Sequence, residues 1–319
     1  MKVFVTSRLP EQILNRIYDL GVELDYEDSN IPLPTEKIIE RLSGVEVLIC
    51  PLSDKITREV IENTNSKDLK LIANYGAGFD NVDIVAAKEN GIAVTNAPAP
   101  SSAVSTAELT FALMLASARK LVQGEKDLRS GNFFGWRPTY FLGDQLKGKT
   151  LGIIGMGNIG KNLAKRALAF DMNVIYYSRN RKEDVESLGA EYLSKEEVIK
   201  NSDFLSLHTA FAPELRHMIG ESEFKKMKPT SHFINAARGP LVDEQALVKA
   251  LKDGEIRSAA LDVYEFEPRV TDELLELENV VLAPHLGNAT EEARFEMGNA
   301  VVDNLEDFIA NRNLRNRVN

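Results

Sequence analysis

The chain has 319 residues, 44% hydrophobic and 27% charged, an ordinary globular composition with room for two domains of about 100–200 residues each. A net charge of −10 argues against a polyanion-binding protein, because phosphate backbones are held by clustered Lys and Arg. One cysteine, Cys50, excludes intramolecular disulfides and thiolate zinc sites and suits a reducing cytosol, while no apolar run approaches the roughly 18 residues of a membrane span.

From the N-terminus, which reads as a strand and not as a signal peptide, short β-branched runs alternate with helical patterns. Strands are predicted at Val3–Thr6, Val22–Tyr26, Val45–Cys50, Leu69–Asn74 and Ile92–Thr95. Helices are predicted near Pro10–Leu20, Thr35–Leu42, Thr57–Asn63 and Val82–Glu89. Gly21, Gly44 and Gly91 stand where three of these helices must stop. Strands joined by helices of this length need crossover connections, hence a parallel sheet. One long helix is then predicted over Ser102–Gln123, followed by an aromatic loop, Gly131–Gly143, with Trp136.

Alternation resumes with strands at Thr150–Ile154, Asn173–Tyr177, Phe204–His208, His232–Asn235, Ser258–Val263 and Val280–Ala283. Helices are expected over Ile159–Phe170, Lys195–Asn201, Glu223–Lys228, Glu244–Lys252 and Glu291–Ala310. The fold class is therefore α/β, with two doubly wound parallel sheets in one chain. The phenylalanines, fourteen in number, read as core, and Cys50 as a small buried hydrophobe.

Gly155-Met156-Gly157-Asn158-Ile159-Gly160 follows a strand and opens a helix. In that context the three glycines serve a tight turn, close approach to a pyrophosphate and close helix–strand packing. The helix N-terminus offers free N–H groups to the anion. About 20 residues on, where an NAD site usually carries an acid for the ribose 2′-OH, stand Ser178 and Arg179, with Arg181 and Lys182 behind. A hydroxyl and a guanidinium suit the 2′-phosphate of NADP; a solvated basic loop is the plainer alternative. NAD remains usable, since nothing excludes a bare ribose.

Three later strands end in polar residues: Asn235-Ala236-Ala237-Arg238-Gly239, Asp262 with Glu265-Phe266-Glu267-Pro268, and Pro284-His285-Leu286-Gly287. Ligands of open α/β sheets bind at such carboxyl ends. Arg forks onto a carboxylate, and a His beside a Glu makes an acid–base pair. Of the two glutamates, Glu265 reads as the solvated one. His208 and His232 read as core or edge groups and His217 as a local packing group. No metal site is expected, since no two histidines are spaced i, i+4.

Over essentially its whole length the chain resembles the D-2-hydroxyacid dehydrogenase family, through the glycine loop, Asn235–Gly239, Glu267-Pro268 and Pro284-His285. The resemblance implies a flavodoxin-like substrate domain from residues 1–99 and 288–319, a Rossmann coenzyme domain over 100–287, and an active site in the cleft. It implies that Arg238 binds the substrate carboxylate, Glu267 supports the histidine, and His285 is the acid–base group. Asp262 would hold the nicotinamide carboxamide. Thr106, Thr209, Ala210, Ala236 and Gly287 would touch the coenzyme, and the Asn74–Asp80 loop would receive the carboxylate on the N–H groups of Ala77 and Gly78. Tyr177-Ser178-Arg179 and Gly135-Trp136-Arg137-Pro138 are most similar to glyoxylate/hydroxypyruvate reductases. In that group a homodimer brings a Trp, here Trp136, into the partner's substrate pocket. Phe211-Ala212-Pro213-Glu214 departs from the pattern, which bears on packing at the adenine end. Among alternatives, a corepressor of the same fold would not need Arg238, Glu267 and His285. Formate enzymes carry Gln where Glu267 stands, and phosphoglycerate dehydrogenases share the fold.

Overall fold

Gly21, Gly44 and Gly91 adopt φ of 66°, 72° and 71°, the left-handed turn that ends a helix and starts the chain back into the sheet. In the computed structural model, which describes residues 1–319, the segments Met1–Ser102 and Thr290–Asn319 form one compact unit and Ala103–Ala289 another. The first unit holds strands β1 (Lys2–Val5), β2 (Glu23–Tyr26), β3 (Val47–Pro51), β4 (Leu71–Tyr75) and β5 (Ala93–Thr95), all parallel in the order β2-β1-β3-β4-β5. Successive residues point to opposite faces, and both faces are covered. Phe4, Leu48 and Ile72 enter one core, Val3, Val47 and Leu71 the other. That explains why these strands read as unbroken apolar runs. The C-terminal helix Glu291–Ile309 returns to the second of these cores through Met297, Val301, Val302 and Leu305.

In the second unit β6 (Thr150–Ile154), β7 (Asn173–Tyr177), β8 (Ala190–Tyr192), β9 (Phe204–Leu207), β10 (His232–Asn235), β11 (Ser258–Leu261) and β12 (Val280–Leu282) pair in parallel. Their order is β12-β11-β10-β9-β6-β7-β8. The winding reverses between β6 and β9, so a ligand crevice belongs at the carboxyl ends of those two strands.

Several local expectations fail. The single helix over Ser102–Gln123 is two, Pro100–Ala118 and Leu121–Arg129, broken at Lys120 with φ 52°. No residue of the second helix is buried, so no apolar stripe carried the first one onward. Strand β8 and the helices Glu183–Glu186 and Asp272–Glu276 had no sequence signal, being too short for a period to register. The helix expected at Glu223–Lys228 lies at Glu221–Phe224. Phe133, Phe134, Phe170, Phe266 and Phe295 are exposed, so the phenylalanines are not all core. No helix is long and apolar enough to cross a membrane.

Candidate active site

At the β6/β9 reversal, Gly155 has φ 102°, and a Cβ there would lie 2.6 Å from the His208 backbone. A Cβ on Gly160 would lie 2.4 Å from Gly155 O, so that glycine lets the helix Asn158–Ala169 close onto the turn. Gly157 caps that helix, and a Cβ there would meet nothing within 4 Å. Two glycines are thus required by packing, whereas Gly157 keeps a space open in front of the N-terminal N–H groups that include those of Asn158 and Ile159. This cradle fits a dinucleotide pyrophosphate.

After β7, Ser178 donates its hydroxyl to Asn180 O at 2.5 Å. Arg179 is exposed, and neither a hydrogen bond nor an ion pair engages its guanidinium. Arg181 is committed to Glu186, whose carboxyl it and the Tyr176 hydroxyl hold down at about 2. Of the basic residues in this turn, Arg179 has the freest fork.

The Arg238 and Glu267 loops are clamped together. A Cβ on Gly239 would overlap Tyr264 O at 1.8 Å, so only glycine lets these backbones touch. Asn235 shapes the Arg238 turn, its Oδ1 accepting from Ala237 N–H at 3.0 Å and its Nδ2 donating to Arg238 O at 3.0 Å. The sequence marks Asn235 only as part of a polar strand end, although an Asn in that place is an Asx-turn signal.

Glu267 Oε1 accepts from Tyr264 N–H at 2.9 Å, and Oε2 lies 2.9 Å from His285 Nδ1. Burial opposes its charge. The His285 hydrogen bond and charge, the Tyr264 N–H and the nearby Arg238 outweigh that and hold the carboxyl below its ordinary value. A carboxylate only accepts, so Nδ1 carries the proton of this bond and Nε2 is the ring atom that can pass a proton onward. His285 itself has φ 54°, a left-handed conformation that costs a side-chain-bearing residue about 1–3 kcal/mol and persists only when its surroundings impose it.

The expectation about the neighbouring glutamate is reversed. The Glu265 side chain is 5% exposed and paired with both Arg216 and His217, whereas Glu267 is 34% exposed. Glu265 is drawn in because its N–H also donates to Glu244 at 2.6 Å. Asp262, 1% exposed, takes the N–H groups of Leu286 and Gly287 on its two oxygens at 2.6 and 2.8 Å. A Cβ on Gly287 would come within 3.3 Å of Thr106 Oγ1, which puts Thr106 beside this turn. Ala236 is buried at the end of β10, Thr209 is half-buried and Ala210 exposed beyond β9. His232 is buried, and His208 is desolvated to a pKa of about 3.

In the first unit the loop after β4 turns its carbonyls inward. Gly76 O accepts from Ala97 N–H, Ala77 O from Asn96 Nδ2 and Gly78 O from Asn74 Nδ2, all at 2.7–2.8 Å. The N–H groups of Ala77 and Gly78 engage no acceptor within the protein. Trp136 is 80% exposed, on an arm that Asp127 ties down through Asn132 and Tyr140.

A dinucleotide cradle and a His–Glu pair beside an Arg at the ends of neighbouring strands suit oxidoreduction of a small acid, and known proteins agree. The sequence pattern of the D-isomer specific 2-hydroxyacid dehydrogenase NAD-binding domain matches residues 111–287. The chain belongs to the D-isomer-specific 2-hydroxyacid dehydrogenase family. A Staphylococcus saprophyticus protein named as a 2-hydroxyacid dehydrogenase is 48% identical over 305 residues, covering 95% of each chain. Among solved structures, a Thermus thermophilus protein superposes with a TM-score of 0.92 at 40% identity over 100% of both chains. A glyoxylate reductase from Paecilomyes thermophila superposes at 0.85 with 35% identity, covering 100% of this chain and 98% of that one. As a 2-hydroxyacid dehydrogenase, the chain acts on small 2-hydroxy or 2-keto acids with an NAD(P) coenzyme.

Proposed function

We propose that this dehydrogenase is a cytosolic reductase of glyoxylate or hydroxypyruvate, forming glycolate or D-glycerate, with NADPH preferred over NADH. The observation that carries the reading is the His285–Glu267 pair, 2.9 Å apart, with Glu267 held ionised and His285 Nε2 left to donate. In this reading Arg238 forks onto the substrate carboxylate and polarises the carbonyl. His285, as imidazolium, gives its Nε2 proton to the forming alkoxide oxygen, and Glu267 stabilises the charged ring. The bound nicotinamide coenzyme supplies the hydride. Gly155, Gly157, Asn158, Ile159 and Gly160 hold its pyrophosphate, Ser178 and Arg179 its 2′-phosphate, and Thr209 and Ala210 its adenine end. Thr106, Ala236 and Gly287 would also contact the coenzyme.

Support for the substrate comes from the similarity to a glyoxylate reductase, and for the coenzyme from Ser178 and Arg179 at the position of the usual acid. The exposed Trp136 supports a homodimer in which this side chain reaches the partner's substrate pocket. A panel of 2-keto acids tested against both coenzymes examines the whole reading. NADPH absorbance should fall fastest with glyoxylate or hydroxypyruvate. No turnover of either acid would overturn the proposal.

A further inference from the structure

Glu267 lies between β11 and the helix Asp272–Glu276, in a loop with neither helix nor strand, yet its carboxylate meets His285 Nδ1 at 2.9 Å. One side chain fastens that loop on both sides of Glu267. Two residues before it, Glu265 N–H donates to Glu244 Oε1 at 2.6 Å. Four residues after it, the Thr271 hydroxyl donates to Glu244 Oε2. Between these points Arg269 N–H donates to Phe266 O at 2.9 Å and closes the turn. We propose that Glu244 is a positioning residue, whose buried carboxyl pins both ends of this loop and so sets Glu267 against His285. The proposal rests on the His285–Glu267 pair being the acid–base group.

Glu244 opens the helix Glu244–Lys252, where an acid ordinarily faces solvent and complements the helix dipole. Here it is 2% exposed. Burying a carboxyl is costly unless its oxygens are hydrogen-bonded, and the loop engages both of them. The helix start is secured without it, since Asp243 caps the helix by accepting from Ala246 N–H at 3.0 Å. Gly239 lets the chain leading into this helix touch the loop at Tyr264 O. The Glu265 carboxyl is turned to Arg216 and His217, so the backbone of that residue is what meets Glu244. Glu244 bonds to neither Glu267 nor His285 and acts on the pair through the loop alone.

The test compares Glu244→Ala, Glu244→Gln, Glu267→Gln and the double variant Glu244→Ala/Glu267→Gln, each assayed with the best 2-keto acid of the panel. In Glu244→Ala, kcat should fall about tenfold or more, since displacing a reacting group by about an ångström costs up to about a hundredfold. The basic limb of the pH–rate profile, which reports the pair losing its proton, should begin about one pH unit lower, because a displaced carboxylate no longer favours the charged ring. Arg238, Asp262 and Tyr264 are the other titratable groups near the pair, and none is altered. Coenzyme affinity, titrated by NADPH and NADH fluorescence without substrate, should stay within about twofold of wild type and reports folding. Glu244→Gln should restore both kcat and the limb, as its carbonyl oxygen accepts the Glu265 N–H and its NH2 donates to Thr271 Oγ1. The double variant should be no slower than Glu267→Gln alone. An unmoved limb in Glu244→Ala, no rescue by Glu244→Gln, or multiplicative losses in the double variant would each overturn the proposal. Wild-type turnover and pH profile in Glu267→Gln would instead overturn the acid–base reading beneath it. If Glu244→Ala does not fold, Thr271→Val, which releases one of the two fastenings, should move the limb in the same direction, and an unmoved limb there overturns the proposal equally.

Discussion

Single residues set the arrangement of the acid pair and, under the proposed function, would decide the coenzyme. The Arg181 guanidinium, expected beside a 2′-phosphate, is spent on Glu186, so under the proposed NADPH preference Arg179 and Lys182 are the cations left for that group, and of these only Arg179 carries a fork of donors. A charge-assisted hydrogen bond contributes about 1.5–3 kcal/mol, or about tenfold in affinity per 1.4 kcal/mol. Arg179→Ala should therefore raise KM for NADPH about tenfold or more and leave KM for NADH nearly unchanged. Equal losses with both coenzymes in steady-state assays would make Arg179 a structural residue. Glu265 and Glu267 show the same dependence on partners, since two residues apart one is enclosed by Arg216 and His217 and the other turns to His285.

At the scale of elements, buried titratable groups tie strand ends to their neighbours. His232, the first residue of β10, lies 2.6 Å from Ser258 Oγ and 2.9 Å from Ser117 Oγ through Nδ1, and 3.2 Å from Asp144 through Nε2. Burial lowers its pKa more than Asp144 raises it, and takes that of His208 to about 3. Both rings stay neutral in the fold, while the unfolded chain protonates them below about 6.5. Their stabilisation is thus lost as pH falls from about 6.5, toward about 3 for His208.

Asp54, beyond β3, has the opposite sign. Thr6 donates to its Oδ2, its Oδ1 has no partner, and burial pushes the carboxyl up to about 6. Its contribution is complete below the unfolded value of about 3.9 and is lost as pH rises through about 6. Asp54→Asn should therefore add about 1–3 kcal/mol near pH 8, raising Tm there, and change Tm little near pH 4. Thermal melts in which the variant loses stability near pH 8 would show that the charged carboxylate is solvated.

At the scale of the molecule, an exposed apolar face calls for a partner. Leu121, Leu128, Phe133, Phe134, Trp136 and Leu142 are all exposed on the helix Leu121–Arg129 and the arm that follows it. Exposed apolar surface of this kind would suit an association site. Two copies related by a two-fold axis would cover it with its own equivalent. Light scattering should give a mass near twice 35.5 kDa, and a solution of single 35.5 kDa chains would rule the dimer out.

Local sequence determined the parallel α/β architecture, because residues three or two apart reveal which face of a helix or strand is buried. It also determined the glycine cradle and brought Arg238, Glu267 and His285 forward, since strand ends and glycines mark where a parallel sheet presents groups to a ligand. Tertiary structure alone decided what depends on distant partners. The break at Lys120 and the three-residue edge strand β8 gave no periodic signal. The enclosure of Glu265 by Arg216 and His217 joins residues 48 or more apart in sequence. The hydrogen bonds from Leu286 and Gly287 N–H to the Asp262 carboxylate close over separations of 24 and 25 residues, and only the pairing of β11 with β12 brings their ends together. Periodicity reports burial along one element, whereas a hydrogen bond between strand ends exists only once the sheet has set their register.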